Sequence, residues 1–137
     1  MSDPEVTVLF ANDAFYVAFV GGDLAAMGDL WATDTPVSCI HPGSPVIVGR
    51  TAVLDSWQPI LASGQTRGFV TQNATATVIG ELAWVTCFEC LDEGALAATN
   101  IFVLEHGRWK MCHHHAGATR NGAPRSMGPG PGSAHLH

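Results

Sequence analysis

The sequence predicts an α+β domain in which helices come first and an antiparallel sheet follows. Apolar residues recur every three or four positions in the stretches before Ser63, and beyond Gly64 they pass into period-two or continuous β-rich runs. The separators between those later runs are two or three residues long, the length of hairpin turns. A chain of 137 residues has room for one such domain, which at that size buries most of its apolar surface without disulfides or metal.

Each element has a local reason. Between Glu5 and Val20, Val8, Leu9, Phe15, Val17 and Phe19, with Ala11, Ala14 and Ala18, keep helical spacing, and Gly21-Gly22 interrupts it. Asp23 is an N-cap for a second, short helix carrying Leu24, Ala25, Met27, Leu30 and Trp31. A short strand from Val37 to His41 is closed by Pro42-Gly43, and a further turn follows at Ser44-Pro45. Thr51 is the expected N-cap of a third helix with Val53, Leu54, Trp57, Ile60 and Leu61, in which Pro59 predicts a kink or an early end. Residues 68–79, 82–91, 96–105 and 108–116 then read as successive strands, separated by Gly80-Glu81, Asp92-Glu93-Gly94 and His106-Gly107. The glycosylation-like triplet Asn73-Ala74-Thr75 falls inside the first of them. The domain is expected to span residues 1–116, and the Gly/Pro-rich residues 117–137, which have no apolar periodicity, are expected to form a flexible tail.

Composition narrows the function classes. Hydrophobic residues make up 47% and charged residues 13%, giving a generous core and a sparsely charged surface of the kind that self-associates. A net charge of −6 offers no footprint for nucleic acid or anionic membrane. The N-terminal residues lack the basic and apolar regions of a signal peptide, and no apolar run is long enough to span a bilayer, so the cytoplasm is the expected location. Cys39, Cys87, Cys90 and Cys112 sit within apolar stretches and read as reduced, buried thiols. No phosphate-binding glycine loop, nucleophile elbow or Ser-His-Asp order is present.

The strongest polar signal is Cys112-His113-His114-His115, a run of histidines inside a strand. Strict alternation puts Trp109, Met111, His113 and His115 on one face and Lys110, Cys112 and His114 on the other. The apolar Trp109 and Met111 mark the inner face, so His113 and His115 are expected to point toward the helices and His114 toward solvent or a partner subunit. His41, at the end of the first strand, can reach the same hollow. Such imidazoles suit general acid–base work or hydrogen-bonded core positions, and a transition metal is a further reading. Glu89, an acid in an apolar strand, needs a partner, which a histidine or Arg50 could supply as a buried ion pair, or serves as a base. Cys87 and Cys90 are three apart on a strand and face opposite ways, against zinc or redox use. Trp31, Trp57, Phe88 and Phe102 can line a pocket for an apolar or aromatic ligand or be plain core.

The element order, together with Phe15-Tyr16 to Phe19, Gly22-Asp23-Leu24, Leu30-Trp31, Cys39-Ile40-His41-Pro42-Gly43, Gly49-Arg50-Thr51-Ala52-Val53-Leu54 with Ser56-Trp57, Ala83-Trp84-Val85-Thr86, and Trp109-Lys110-Met111 with His113-His114-His115, resembles the nuclear transport factor two-like superfamily. That superfamily includes SnoaL-like polyketide cyclases and ketosteroid isomerase. The resemblance covers about residues 5 to 116 and implies three helices packed on a strongly curved, mainly antiparallel sheet, a cone-shaped half-barrel with a central pocket. It implies dimers paired through the outer face of the sheet, where Trp84 can lie. Ketosteroid isomerase-like sites use a carboxylate base with phenol and carboxylic-acid donors. Here Tyr16, the only tyrosine, can supply the phenol, while Asn100 stands at the strand position that could offer a donor and no acidic pair is evident. The last strand departs from similar sequences, continuing as Ala116-Gly117-Ala118 where they have Ser-Pro.

The resulting expectation is a homodimer whose pocket binds a small apolar or aromatic molecule. His113, His115 and His41 are its polar contacts, with Glu89 or Tyr16 assisting; if it is an enzyme, a cofactor-free isomerisation, cyclisation or dehydration fits best. The alternative is a non-catalytic ligand-binding or dimerisation module, which the lack of an acidic pair favours.

Overall fold

The computed structural model describes residues 1–120 of the chain. Helix α1 (Asp3–Gly21) starts at a capping box in which the Ser2 hydroxyl accepts from the Glu5 amide and the Glu5 carboxylate accepts from the Ser2 amide. Gly22 ends it at φ 64, and a Cβ there would stand 2.9 Å from the Leu61 carbonyl oxygen, so both the backbone turn and the close approach of a later helix require glycine. Helix α2 (Leu24–Leu30) is capped by Asp23, which accepts from the Ala26 amide at 3.0 Å. Helix α3 (Arg50–Ala62) follows Gly49 at φ 96 and has no side-chain cap. Thr51 therefore lies inside the helix and is not its N-cap, because the glycine turns the chain two residues earlier than a threonine cap would. Pro59 does not end α3, which runs on to Ala62. Pro59 is exposed, so water can satisfy the carbonyl left without a donor.

The sheet is curved and open, with strands β1 (Ser38–Ile40), β2 (Ile47–Val48), β3 (Val70–Ile79), β4 (Leu82–Leu91), β5 (Gly94–Glu105) and β6 (Arg108–Ala118) in the order β2-β1-β6-β5-β4-β3. The β3–β6 meander is antiparallel and β1 joins β6 in parallel. β2 is too short to carry a sequence pattern, and a single 3-10 turn (Gln65–Gly68) takes Gly68 from the start of the expected strand. Gly117 and Ala118, assigned by composition to the tail, complete β6 opposite Ala97 and Leu96. The remainder of the expected tail, beyond residue 120, lies outside the described residues.

One irregularity controls the chemistry. Phe102 pairs with Met111 and Ile101 with His113, so Cys112 has no partner on β5. This β-bulge breaks the two-residue alternation. Met111 and His114, three residues apart, are both buried on the inner face, where Phe15, Phe19, Trp31, Trp57 and Phe102 form the core with them. The opposite face carries Trp84, Phe88, Ile101, Val103 and His113, none of them fully buried. Among the described residues no helix is long and apolar enough to cross a membrane.

Candidate active site

β6 runs between β1 and β5, so His114 is held from both sides, opposite Cys39 on one strand and Asn100 on the other. Its Nδ1 lies 2.5 Å from Asn100 Oδ1. The Asn100 amide nitrogen donates to Asn12 Oδ1 at 2.9 Å and to the Tyr16 oxygen at 3.1 Å, which leaves Oδ1 as the acceptor. The network therefore assigns the imidazole proton to Nδ1, and Nε2 is left with a free lone pair. That Nε2 is 3.9 Å from Glu89 Oε2.

Glu89 stands on the inner face of β4 and is 2% exposed. The Tyr16 hydroxyl donates to its Oε2 at 2.7 Å and in turn accepts from the Cys87 thiol at 3.4 Å. Burial pushes the Glu89 carboxyl up to about 7, against the opposing effect of the Tyr16 hydrogen bond. Burial also drives His114 down to about 3, with the neighbouring imidazoles of His41, His113 and His115 acting in the same direction. Tyr16 is raised by burial and by the adjacent carboxylate, and stays a phenol. The His114–Glu89 contact is thus no ion pair. It joins an uncharged ring to a carboxyl that gains or loses its proton near neutrality.

Both groups open onto a cavity of ≈ 460 Å³ whose apolar wall includes Phe19, Trp57, Ile60, Phe69 and Leu96. That volume suits a small organic molecule. No Lys or Arg lines it. At its edge, His41 Nε2 lies 2.8 Å from Ser56 Oγ, whose hydroxyl donates to the Val53 carbonyl at 2.6 Å. His41 is therefore the donor in that pair, its ring 4.7 Å from Trp57 and its basicity lowered by burial. The Cys39 thiol, 3.7 Å from His41 Nε2, is pushed up to about 12 by burial and remains protonated, unsuited to nucleophilic attack.

The sequence profile of the SnoaL-like domain matches residues 8–120, from the second turn of α1 through β6, and takes in every residue of this site. The chain belongs to the SnoaL-like family. A structure from Streptomyces avermitilis, of a protein assigned provisionally as a dehydratase of the nuclear transport factor two-like family, shares 33% identity and a TM-score of 0.76, covering 84% of this chain and 95% of that one. A ketosteroid isomerase-like protein from Erwinia carotovora atroseptica shares the fold at 13% identity and a TM-score of 0.67, covering 86% and 98%. The F-box protein SKIP8 of Arabidopsis thaliana is 31% identical over 111 residues, 80% of this chain and 48% of that protein. The chain spans about half the length of that curated relative.

Within this SnoaL-like domain the expected site residues separate into groups. Glu89, His41 and Trp57 line the cavity, while Tyr16 and Asn100 stand behind it and hold Glu89 and His114. His113 and His115 do not point toward the helices: past the bulge their side chains turn to the outer face, where His113 Nδ1 meets Ser38 Oγ at 2.7 Å and His115 is exposed. His114, expected outside, takes the inner position for the same reason. That rearrangement removes the trio of His41, His113 and His115 as a metal or acid–base set, and among the described residues no three potential ligands gather around a point. Trp31 and Phe102 are core beside Met111, and Phe88 is on the outer face. Asn12 and Thr66 were not singled out. Asn12 carried one signal, a polar side chain within the apolar stripe that joins Val8, Phe15 and Phe19 on α1.

The Tyr16 hydroxyl favours ionised Glu89. Tyr16→Phe is therefore expected to raise the Glu89 titration above about 7, by about one unit for a single hydrogen bond to a charged group. The carboxyl infrared band followed against pH checks this; an unchanged midpoint contradicts it.

Proposed function

We propose that this SnoaL-like domain binds a small, uncharged, largely apolar molecule and moves a proton on it without a cofactor, by isomerisation, cyclisation or dehydration. One observation carries the reading: a carboxyl that changes protonation near pH 7, beside a neutral imidazole, faces a largely apolar cavity. Glu89 takes a proton from an acidic carbon and returns it at another atom. His114 stays uncharged with its lone pair toward Glu89, Tyr16 steadies the carboxylate, and Asn100 with Asn12 fixes the tautomer of His114. The dehydratase assignment of the Streptomyces relative supports this class of reaction.

The test uses 2-tetralone, a bicyclic ketone smaller than the cavity, in deuterium oxide. Wild-type protein is expected to accelerate deuterium uptake at the carbons next to the carbonyl, and Glu89→Gln to lose that acceleration. Binding of the ketone with no acceleration in the wild type overturns the reading in favour of a non-catalytic ligand-binding module.

We further propose that two copies pair through the outer face of the sheet. Trp84, Phe88, Ile101 and Val103 lie there without a formal charge among them, so a copy of the same face meets no like-charge repulsion. Trp84→Arg is expected to convert a dimer to a monomer in sedimentation velocity while leaving the far-ultraviolet circular dichroism unchanged. A monomeric wild type, or a variant that stays dimeric, refutes the pairing.

A further inference from the structure

Two polar atoms that the Glu89–His114 network does not use belong to walls of the same cavity. Trp57 Nε1 and Thr66 Oγ1 are shut off from solvent and have no hydrogen-bond partner among the described residues, and both residues line the cavity. Trp57 is 1% and Thr66 3% exposed. Buried donors without partners are uncommon in native proteins and mark places where a ligand or an ordered water completes the bonding. An indole N–H can only donate, so its missing partner is an acceptor; a threonine hydroxyl can donate to the same acceptor.

We infer that Trp57 and Thr66 form a second pole of the site, which receives a neutral acceptor oxygen of the ligand. The lining has no Lys or Arg and does include Glu89, so a carboxylate or phosphate ligand would meet an acid with no counter-charge. A carbonyl oxygen has neither problem. Position agrees: the Trp57 ring lies 5.4 Å from the His114 ring, and His114 Nε2 lies 3.9 Å from Glu89. Trp57, His114 and Glu89 therefore border one cavity.

The role of this pole in the reaction rests on the proton-transfer reading above; its role in binding does not. When Glu89 takes the proton from the carbon next to the carbonyl, the C–H electron pair forms a C=C bond and the carbonyl pair moves onto oxygen. The enolate oxygen then accepts from Trp57 Nε1–H and the Thr66 hydroxyl, and protonation by Glu89 regenerates a carbonyl compound. Fixed donors beside the oxygen stabilise the charge as it develops.

The experiment compares binding of 2-tetralone with tetralin, the same skeleton without oxygen, in wild type, Trp57→Phe, Thr66→Val and Glu89→Gln. Phenylalanine keeps an aromatic ring and loses the N–H together with the five-membered half of the indole, a packing change that tetralin binding reads on its own; thermal melts confirm that each variant folds. Wild type is expected to prefer the ketone, with its infrared C=O band shifted to lower frequency on binding. Trp57→Phe should weaken the ketone about 5- to 10-fold more than it weakens tetralin, as loss of one hydrogen bond does, and return the C=O band toward its free position. Thr66→Val should give a smaller change of the same kind. Ketone preference and band shift that survive Trp57→Phe overturn the inference, as does a wild type that binds neither probe or prefers tetralin. Deuterium uptake separates the two ideas. Uptake that needs Glu89 while the preference ignores Trp57 sinks this inference alone, and the reverse pattern sinks only the proton-transfer reading.

Discussion

Glu89→Gln is expected to slow enolisation of a bound ketone by about 10²- to 10⁴-fold, the contribution of a positioned general base, while changing ketone affinity little. The side chains are near-isosteric, and the amide keeps an oxygen for the Tyr16 hydroxyl, so the scaffold around the site is preserved. The wild-type rate should rise with pH and level off above about 7, because only the ionised carboxyl accepts a proton. Uptake of deuterium measured from pH 5 to pH 9 reads both effects. A rate in Glu89→Gln equal to that of wild type, or a wild-type midpoint near the ordinary 4.5 of a glutamate, defeats the assignment.

The second large effect is on stability, and it has opposite signs for the two partners. Glu89 binds its proton more tightly in the folded protein than the ordinary carboxyl value of 4.5 allows. Its contribution is therefore complete below pH 4.5 and is lost as pH rises through about 7, a change of about 3 kcal/mol at 1.36 kcal/mol per unit. His114 is depressed from 6.5 to about 3, so its contribution is complete above pH 6.5 and is lost as pH falls toward about 3. Between pH 8 and pH 4 that loss also amounts to about 3 kcal/mol. The two slopes offset one another in the wild type. Relative to wild type, Glu89→Gln should become more stable by about 3 kcal/mol as pH goes from 4 to 8, and His114→Gln should become less stable by a similar amount over the same change. Denaturant unfolding at the two pH values measures this. Parallel pH dependence in all three proteins would show that neither group is buried as described.

What was legible in the sequence was local. Asp23 caps α2 because its carboxylate reaches an amide three residues on, and the turns at Gly80-Glu81 and His106-Gly107 close hairpins whose strands follow directly. Glu89 stood out as an acid among apolar neighbours, but its hydrogen-bond partner is neither a histidine nor Arg50, which donates to the carbonyls of Gly28, Trp31 and Ala32. That partner is Tyr16, 73 positions away on α1, and no sequence period links them. A Thr51 cap puts the start of α3 two residues later than Arg50, since glycine and threonine both begin helices and only the backbone angle at Gly49 separates them.

The amino-acid order determined the succession of helices and strands, the family, and the presence of a buried acid and a histidine run, because caps, turns and periodicities act over a few residues. Tertiary structure alone decided which histidine faces the cavity. Side-chain alternation along β6 holds only while each residue has a partner, and the register with β5 leaves Cys112 without one. A bulge of one residue exchanges the two faces of everything after it, so pairing with a neighbouring strand turned His114 inward and His113 and His115 out.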